Sequence, residues 1–290
     1  MNKSILFIVI SVVLSSCSFA PNSKLEVVDK GTSYVVLKGH IDKIPARQSL
    51  SVVYSPHNSN LSFTSDKVSV YPNTNDFIIR IGGLCPDKSY YFGLMTFFSI
   101  REYTIGSQRL LVHTDKISSE SPQAIDLGLS VLWANCNIGA KQETDAGVYY
   151  SWGYPKEEVN HDHFERYHTF VDDLGGISGT KYDPATNTYG DGWRLPTEKE
   201  IKELYAKCEW EWSEQTGGYG FYVKAPNGNA IFLPAGGYVH KTTLKEYDIK
   251  GCYLLDKRYS NSLSFSKNDK EIALQKYCES GYTVRPVKNK

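Results

Sequence analysis

Short strand-like segments are the feature that most limits how the first part of this chain folds. Seven of them lie between residues 25 and 114, and each is apolar or alternates between apolar and polar residues: LEVVDK, YVVLKGH, SLSVVYS, KVSVY, DFIIRI, SYYFGLMTF and QRLLVHT. Proline, glycine, asparagine and serine separate them, as is typical of turns between strands. This spacing predicts an all-β sandwich over residues 24–114.

One motif within this region refines the prediction. The run LCPDKSY at residues 84–90 resembles the L-x-P-x-x-x-Y run of fibronectin type III domains. The resemblance implies that Tyr90 lies at the corner before a late strand and that its hydroxyl hydrogen-bonds back to the chain.

A polar segment then separates two regions of different composition. Residues 115–124 (DKISSESPQA) are rich in serine and contain proline, and all five tryptophans lie beyond them. These features predict a linker at 115–124 and a second domain over residues 125–290.

The second region contains one clear helix signal, in the run GDGWRLPTEKEIKELYAKC at residues 190–208. Thr197 followed by Glu200 is typical of a capping box at a helix start. The spacing after it predicts one buried stripe, made of Ile201, Leu204, Tyr205 and Cys208. Trp193 and Arg194 precede the helix. We favour packing roles for them, with a ligand role as the alternative, because the stretch contains no nucleophile or base.

The rest of the second region predicts short strands between long glycine-rich loops. The strand-like segments are GVYYSW, GFYVKA, AIFLPAG and TVRPV, and Asn227-Gly228 predicts a tight hairpin turn between the second and third. Long loops of this kind are usually functional or cross-linked.

The first 17 residues predict export. Lys3 precedes the apolar run ILFIVISVVL, which is too short to span a membrane and has the length of a signal peptide. The following LSSC, residues 14–17, resembles a bacterial lipobox. That resemblance implies cleavage before Cys17, acylation of that cysteine and firm membrane anchoring. An ordinary secretory signal is the alternative. Ser18 in place of aspartate argues against retention in the inner membrane, so we expect an outer-membrane lipoprotein facing the periplasm or the outside.

Charge and cysteine content narrow the choice of partners. The chain has 32 basic and 32 acidic residues, so no overall field favours nucleic acid.

Five cysteines remain after Cys17. Disulfides are permitted outside the cytoplasm, but an odd number leaves at least one thiol free.

Five motifs of the second region resemble one family in the same order. They are IDLGLSVLWANCNIGA, GVYYSWG, GDGWRLPTEKEIKEL, NGNAIFLPAGGY and GYTVRPV, which together extend from residue 125 to 287. The family is the Fibrobacter succinogenes major paralogous domain, common in lipoproteins of Bacteroidota. The resemblance implies an α+β, C-type-lectin-like fold related to formylglycine-generating enzymes. The chain departs from the family at residues 251–256, where GCYLLD replaces a G-x-Y-W-S-S run.

Four side chains are candidates for binding a ligand. Trp210 and Trp212 alternate as on a strand, so one exposed face could stack on a sugar or a peptide, with core packing as the favoured alternative. Trp152 and Arg194 lie in the motifs GVYYSWG and GWR and complete the set.

Metal binding is a weaker hypothesis. The run HDHFERYH at residues 161–168 contains imidazoles and carboxylates, but its spacing matches no established site and favours a solvated loop. Asp183, Asn187 and Asp191 carry oxygens of the kind that calcium prefers, without EF-hand spacing. We therefore expect no catalytic metal and no resident cofactor, with calcium as the alternative.

Catalysis is the second functional hypothesis. Cys252 and Cys278 are similar in type to the reactive cysteines of formylglycine-generating enzymes, but no motif of that enzyme and no nearby base accompanies them. A disulfide or two buried thiols is the favoured interpretation. We therefore expect a non-catalytic binding or adhesion module for glycan or protein, with a related enzyme or a purely structural envelope component as alternatives.

Overall fold

The protein is mostly β-strand, arranged in small antiparallel sheets with few helices. The computed structural model describes residues 24–42, 49–58, 63–67, 74–99, 102–106, 108–154, 175–215, 218–240, 243–257, 261–274 and 280–290. Residues 24–114 are called the N-terminal unit below, and residues 125–290 the C-terminal unit.

Eight strands form two sheets in the N-terminal unit. They are β1 (Lys24–Lys30), β2 (Tyr34–His40), β3 (Ser49–Ser55), β4 (Phe63–Lys67), β5 (Asp76–Gly82), β6 (Ser89–Ser99), β7 (Glu102–Ile105) and β8 (Leu110–His113). One sheet has the order β1-β2-β5, and the other has the order β4-β3-β6-β7, with β8 also pairing with β6. The sequence pattern predicts six of these strands well. It misses β7 and places β4 at 67–71, of which 68–71 lie outside the described residues.

One apolar core is shared by both sheets. Leu37 and Phe77 from the first sheet pack in the same cluster as Val52 and Phe92 from the second. Alternation along each strand directs these side chains to the inner face.

The predicted corner is confirmed in this unit. The hydroxyl of Tyr90 accepts a hydrogen bond of 3.0 Å from the backbone N–H of Cys85, and Leu84 is buried nearby.

Thirteen shorter strands occupy the described part of the C-terminal unit. They are β9 (Ala124–Ile125), β10 (Val131–Ala134), β11 (Trp193–Arg194), β12 (Glu209–Gln215), β13 (Gly218–Lys224), β14 (Ala230–Pro234), β15 (Tyr238–His240), β16 (Thr243–Lys245), β17 (Lys250–Tyr253), β18 (Asn261–Ser266), β19 (Asp269–Leu274), β20 (Ser280–Gly281) and β21 (Val287–Asn289). The sheet orders are β11-β21-β10-β9, β12-β13-β14, β16-β15-β20 and β17-β18-β19.

In the C-terminal unit, the sequence predicts strands correctly where they pair with neighbours along the chain. The Asn227-Gly228 turn joins β13 to β14, and Gly228 has a φ of 87°, which glycine adopts readily. The segments 147–152 and 283–287 are mostly irregular instead. Their backbone groups bond in isolated pairs, such as Tyr150 with Tyr282, because both segments are buried between loops.

Two helices lie among the described residues, α1 (Pro184–Tyr189) and α2 (Glu198–Lys207). The predicted stripe of α2 is right for Ile201 and Leu204, which are buried. Cys208, at the C-cap, is partly buried against the main core, whereas Tyr205 is 42% exposed, so the prediction is wrong for Tyr205.

Arg285 joins separate parts of the C-terminal unit from inside. Its guanidinium is 1% exposed and donates to the carbonyl oxygens of Ala134, Asn135 and Phe232 and to Oδ1 of Asn137. Burial lowers the pKa of Arg285, and these four oxygens supply the hydrogen bonds that water would otherwise give.

Candidate functional site

The start of α2 sets the position of a buried carboxylate. Thr197 is the N-cap, and its hydroxyl oxygen accepts from the backbone N–H of Glu200 at 3.4 Å. In return, Oε2 of Glu200 accepts from the N–H of Thr197 at 2.7 Å. The predicted capping box is therefore confirmed, and it directs Glu200 back towards the segment that precedes the helix.

Arg194 forms a bidentate ion pair with this carboxylate. Its Nη1 and Nη2 donate to the two oxygens of Glu200 at 3.0 and 2.6 Å, and Nη2 also donates to Oδ1 of Asn289 at 2.8 Å. The hydrogen bonds with Glu200 raise the pKa of Arg194. Burial favours a higher pKa for Glu200, but the bonds from Arg194 and Thr197 outweigh it and lower that pKa. Both groups therefore stay charged.

Trp152 lies beside the end of another chain segment, at Asp256. Its indole Nε1 donates to the carbonyl oxygen of Asp256 at 3.0 Å, and the N–H of Ile177 donates to the same oxygen at 2.9 Å. Three loops thus meet at Asp256. Trp152 thus contacts the backbone of Asp256, and the charge of Asp256 is a minor contribution to the raised pKa of Arg194.

The carboxyl group of Asp256 is the unusual member of this group. The residue is 8% exposed, and its Oδ1 is buried with no hydrogen-bond partner among the described residues. Burial raises the pKa of Asp256 and the charges of Glu200 and Glu198 add to that rise, while the charge and a backbone hydrogen bond of Lys257 oppose it. A Cβ at Gly176 would lie 2.9 Å from Oδ2, so glycine there lets the chain pass close to the carboxyl. Sequence analysis did not identify Asp256, although it lies in the departing run at 251–256.

The three calcium candidates have other roles in the structure. Both oxygens of Asp183 accept backbone N–H groups: Oδ1 from Ala185 and Thr186, Oδ2 from Gly179 and Leu195. Asp183 is thus the N-cap of α1, and burial raises its pKa despite these donors.

The other two members of that set also have partners within the protein. Asn187 donates to the carbonyl oxygens of Lys181 and Asp183, and Asp191 pairs with Lys288 at the surface. No cluster of three or more histidine, cysteine, aspartate or glutamate side chains suited to a metal ion occurs in the described ranges. The run at 161–168 lies outside them.

Trp210 and Trp212 lie on β12. Their rings meet Phe221 edge to face at 5.6 and 5.1 Å, and both pack against the main core of the unit. Nε1 of Trp212 donates to Oε1 of Glu214 at 3.2 Å. Both indoles are only partly buried, so their outer edges remain available as a second candidate surface.

A buried thiol and one hydroxyl beside a histidine are nucleophile candidates among the described residues. Cys252 is a buried free thiol, and burial raises its pKa to about 11, so it is protonated at neutral pH. Cys278 and Cys17 lie outside the described residues. Ser89 contacts His113, which contacts Asp87, but about half of His113 and Asp87 is open to water.

Comparison with known proteins adds no further constraint on the site. No protein-family model matches the chain, and no curated protein matches it. Of the helices in the part of the chain that the structure describes, none is long and apolar enough to cross a membrane.

Proposed function

We propose that this protein is a lipid-anchored component of the cell envelope that binds a glycan or a protein ligand without transforming it. The carrying observation is Oδ1 of Asp256, which is buried with no hydrogen-bond partner in the described part of the chain, next to the indole of Trp152. A buried acceptor without a partner costs roughly 1–3 kcal/mol, and such groups call for an explanation. A hydroxyl, amide or amine donor from a ligand would complete its hydrogen bonding.

The side chains near Asp256 are of the kinds that bind a polar ligand. The indole of Trp152 offers a flat apolar surface with its N–H already engaged, and the Arg194–Glu200 pair offers charged hydrogen-bonding groups. Side chains that are locked by their own partners keep a site in one geometry before the ligand arrives, which lowers the entropy cost of binding.

We further propose that residues 24–114 are a fibronectin-like sandwich and residues 125–290 a lectin-like domain. The Tyr90 corner and the core shared by two sheets support the first assignment. Loop-rich architecture with one main helix and the five motifs support the second. In this arrangement, the first unit acts as a spacer between the anchor at Cys17 and the binding unit.

A combined glycan and envelope-protein array tests the function. The probe is the soluble chain that begins at Lys24, and the same chain after heat denaturation is the control. Saturable binding of the folded chain to a defined ligand class, lost on denaturation, is the expected result. Equal signals from folded and denatured chain across the array would reject a specific binding function.

A further inference from the structure

We infer that the N-terminal and C-terminal units form a single rigid body, held by a joint around Arg80 that does not depend on the linker. The inference is independent of the proposed ligand site. It rests on side chains of one unit whose contacts lie in the other.

Arg80, on β5, is the centre of this joint. Its guanidinium carbon lies 3.4 Å from the ring centre of Tyr34 in its own unit and 5.0 Å from that of Tyr247 in the other. Burial raises the pKa of Tyr247 to about 12, while the charge of Arg80 opposes that rise. A cation between two aromatic rings, partly withdrawn from water, is a favourable contact with a defined geometry.

Two buried hydroxyls form hydrogen bonds across the joint. Thr32 donates to the carbonyl oxygen of Gly139, and Ser33 donates to that of Gly147, each at 2.6 Å. Both side chains belong to the turn before β2 and are almost fully buried. Buried hydroxyls with acceptors in the other unit indicate two surfaces that match each other.

The apolar part of the joint is closely packed. A Cβ at Gly82 would lie 2.5 Å from Cδ2 of Leu244, and a Cβ at Gly83 would lie 2.8 Å from Cγ2 of Val239. The strand end after Arg80 therefore lies directly against the side chains of Leu244 and Val239, and a larger residue at either glycine would require these side chains to shift.

The start of the linker belongs to the joint as well. Nζ of Lys141 donates to the carbonyl oxygen of Lys30 and pairs with Asp115, both at 2.7 Å. Ile117 packs against a core cluster of the C-terminal unit. Residues 118–121 are exposed, so a cut there leaves these contacts intact.

The test uses the soluble chain that begins at Lys24, with a protease recognition sequence inserted between Ser118 and Ser121. After cleavage, we expect both fragments to elute together in gel filtration at micromolar concentration. Dilution in the analytical ultracentrifuge then gives the dissociation constant between fragments. Arg80→Ala should raise it at least about tenfold, equivalent to about 1.4 kcal/mol.

Two further variants separate the joint from the folding of either unit. Arg109→Ala removes an arginine whose contacts lie within its own unit, and it should leave the dissociation constant unchanged. Leu244→Asp places a charge in the joint on the side of the C-terminal unit and should weaken association of the fragments. Near-ultraviolet circular dichroism shows whether each variant is folded. Leu244→Asp therefore keeps the test valid if Arg80→Ala misfolds. Separation of the cut wild-type fragments, or unchanged association in both joint variants, would overturn the inference.

Discussion

Asp256 is a buried residue whose neighbours come from distant parts of the chain. Residues 251–256 depart from the run that the family resemblance implies, but this departure does not indicate that Asp256 is buried beside Trp152. That placement depends on loops distant in sequence, whose contacts follow no periodic pattern. Arg194 was easier to interpret, because its carboxylate partner Glu200 lies within the same local motif.

The alternation of Trp210 and Trp212 correctly predicts that the two share one face of a strand. Which face is buried depends on how β12 pairs with β13 and on the packing of Phe265 against Trp210. Core packing, the favoured interpretation, agrees with these contacts. A ligand role for their outer edges stays a prediction.

The stability of Asp256→Asn should depend on pH in a defined direction. Burial raises the pKa of Asp256 above its ordinary value of 3.8, so the folded chain holds this proton more tightly than the unfolded chain. The wild type therefore loses stability as pH rises from 3.8 through the raised pKa, and asparagine, which does not ionise, avoids that loss. Thermal unfolding measured from acidic to neutral pH should show that the stability of Asp256→Asn rises relative to that of the wild type.

Asp191→Asn serves as the matched control, because Asp191 is exposed and pairs with Lys288. If Asp256→Asn instead lost most stability at neutral pH, the ionised carboxylate would be a structural hydrogen-bond acceptor, and the case for a ligand at Oδ1 would fail.

Among the elements, helix α2 was the most predictable. Its capping box and the burial of Ile201 and Leu204 follow from neighbours in sequence. Helix α1 was missed, although Asp183 followed by Pro184 is a typical N-cap and first-turn pair. The oxygen content of Asp183, Asn187 and Asp191 suggested calcium, whereas the local backbone uses Asp183 as a cap.

Loss of the N-cap of α2 should lower the stability of the protein only modestly. Thr197→Ala removes the acceptor for the N–H of Glu200 and should lower the free energy of unfolding by about 1 kcal/mol. Urea unfolding measures this value. Thr197→Ser keeps the hydroxyl and should behave like wild type; a loss of similar size in the serine variant would assign the effect to the methyl group.

Arg285→Lys should lower the free energy of unfolding far more than Thr197→Ala does, because Arg285 holds several segments at once. Lysine places its donors around one atom and cannot reach the carbonyls of Ala134, Asn135 and Phe232 together. Each buried carbonyl left without a partner costs roughly 1–3 kcal/mol, so the total loss should reach at least about 3 kcal/mol in urea unfolding. Arg109→Lys, an exposed change, is the control. A loss below about 1 kcal/mol would mean that Arg285 does not hold these segments together.

At the scale of the whole molecule, the sequence predicts strand content better than it predicts how the parts meet. Regular alternation gave most strands of the N-terminal unit, since sandwich strands have one inner face. The short strands of the C-terminal unit are held by distant partners, as with Tyr150 and Tyr282. The polar composition of 115–124 predicts a linker, while the contacts of Asp115 and Ile117 depend on both folded units.

The proposed lipid anchor at Cys17 would hold the protein at the membrane surface. Six residues lie between Cys17 and the first described residue, Lys24, so the chain between them can span at most about 25 Å. Cys17→Ser should move the protein from the membrane fraction to the soluble fraction, and mass spectrometry of the wild type should find acyl groups on Cys17. A soluble wild-type protein with another N-terminus would contradict the lipobox prediction.

The binding function itself is tested most directly by calorimetric titration of the strongest array ligand into wild type, Asp256→Asn and Asp191→Asn. Asparagine can present an amide nitrogen where the ligand needs an acceptor, so we expect Asp256→Asn to weaken binding at least about tenfold, while Asp191→Asn binds like wild type. Equal affinity of all three folded proteins would contradict the assignment of the ligand site to Asp256.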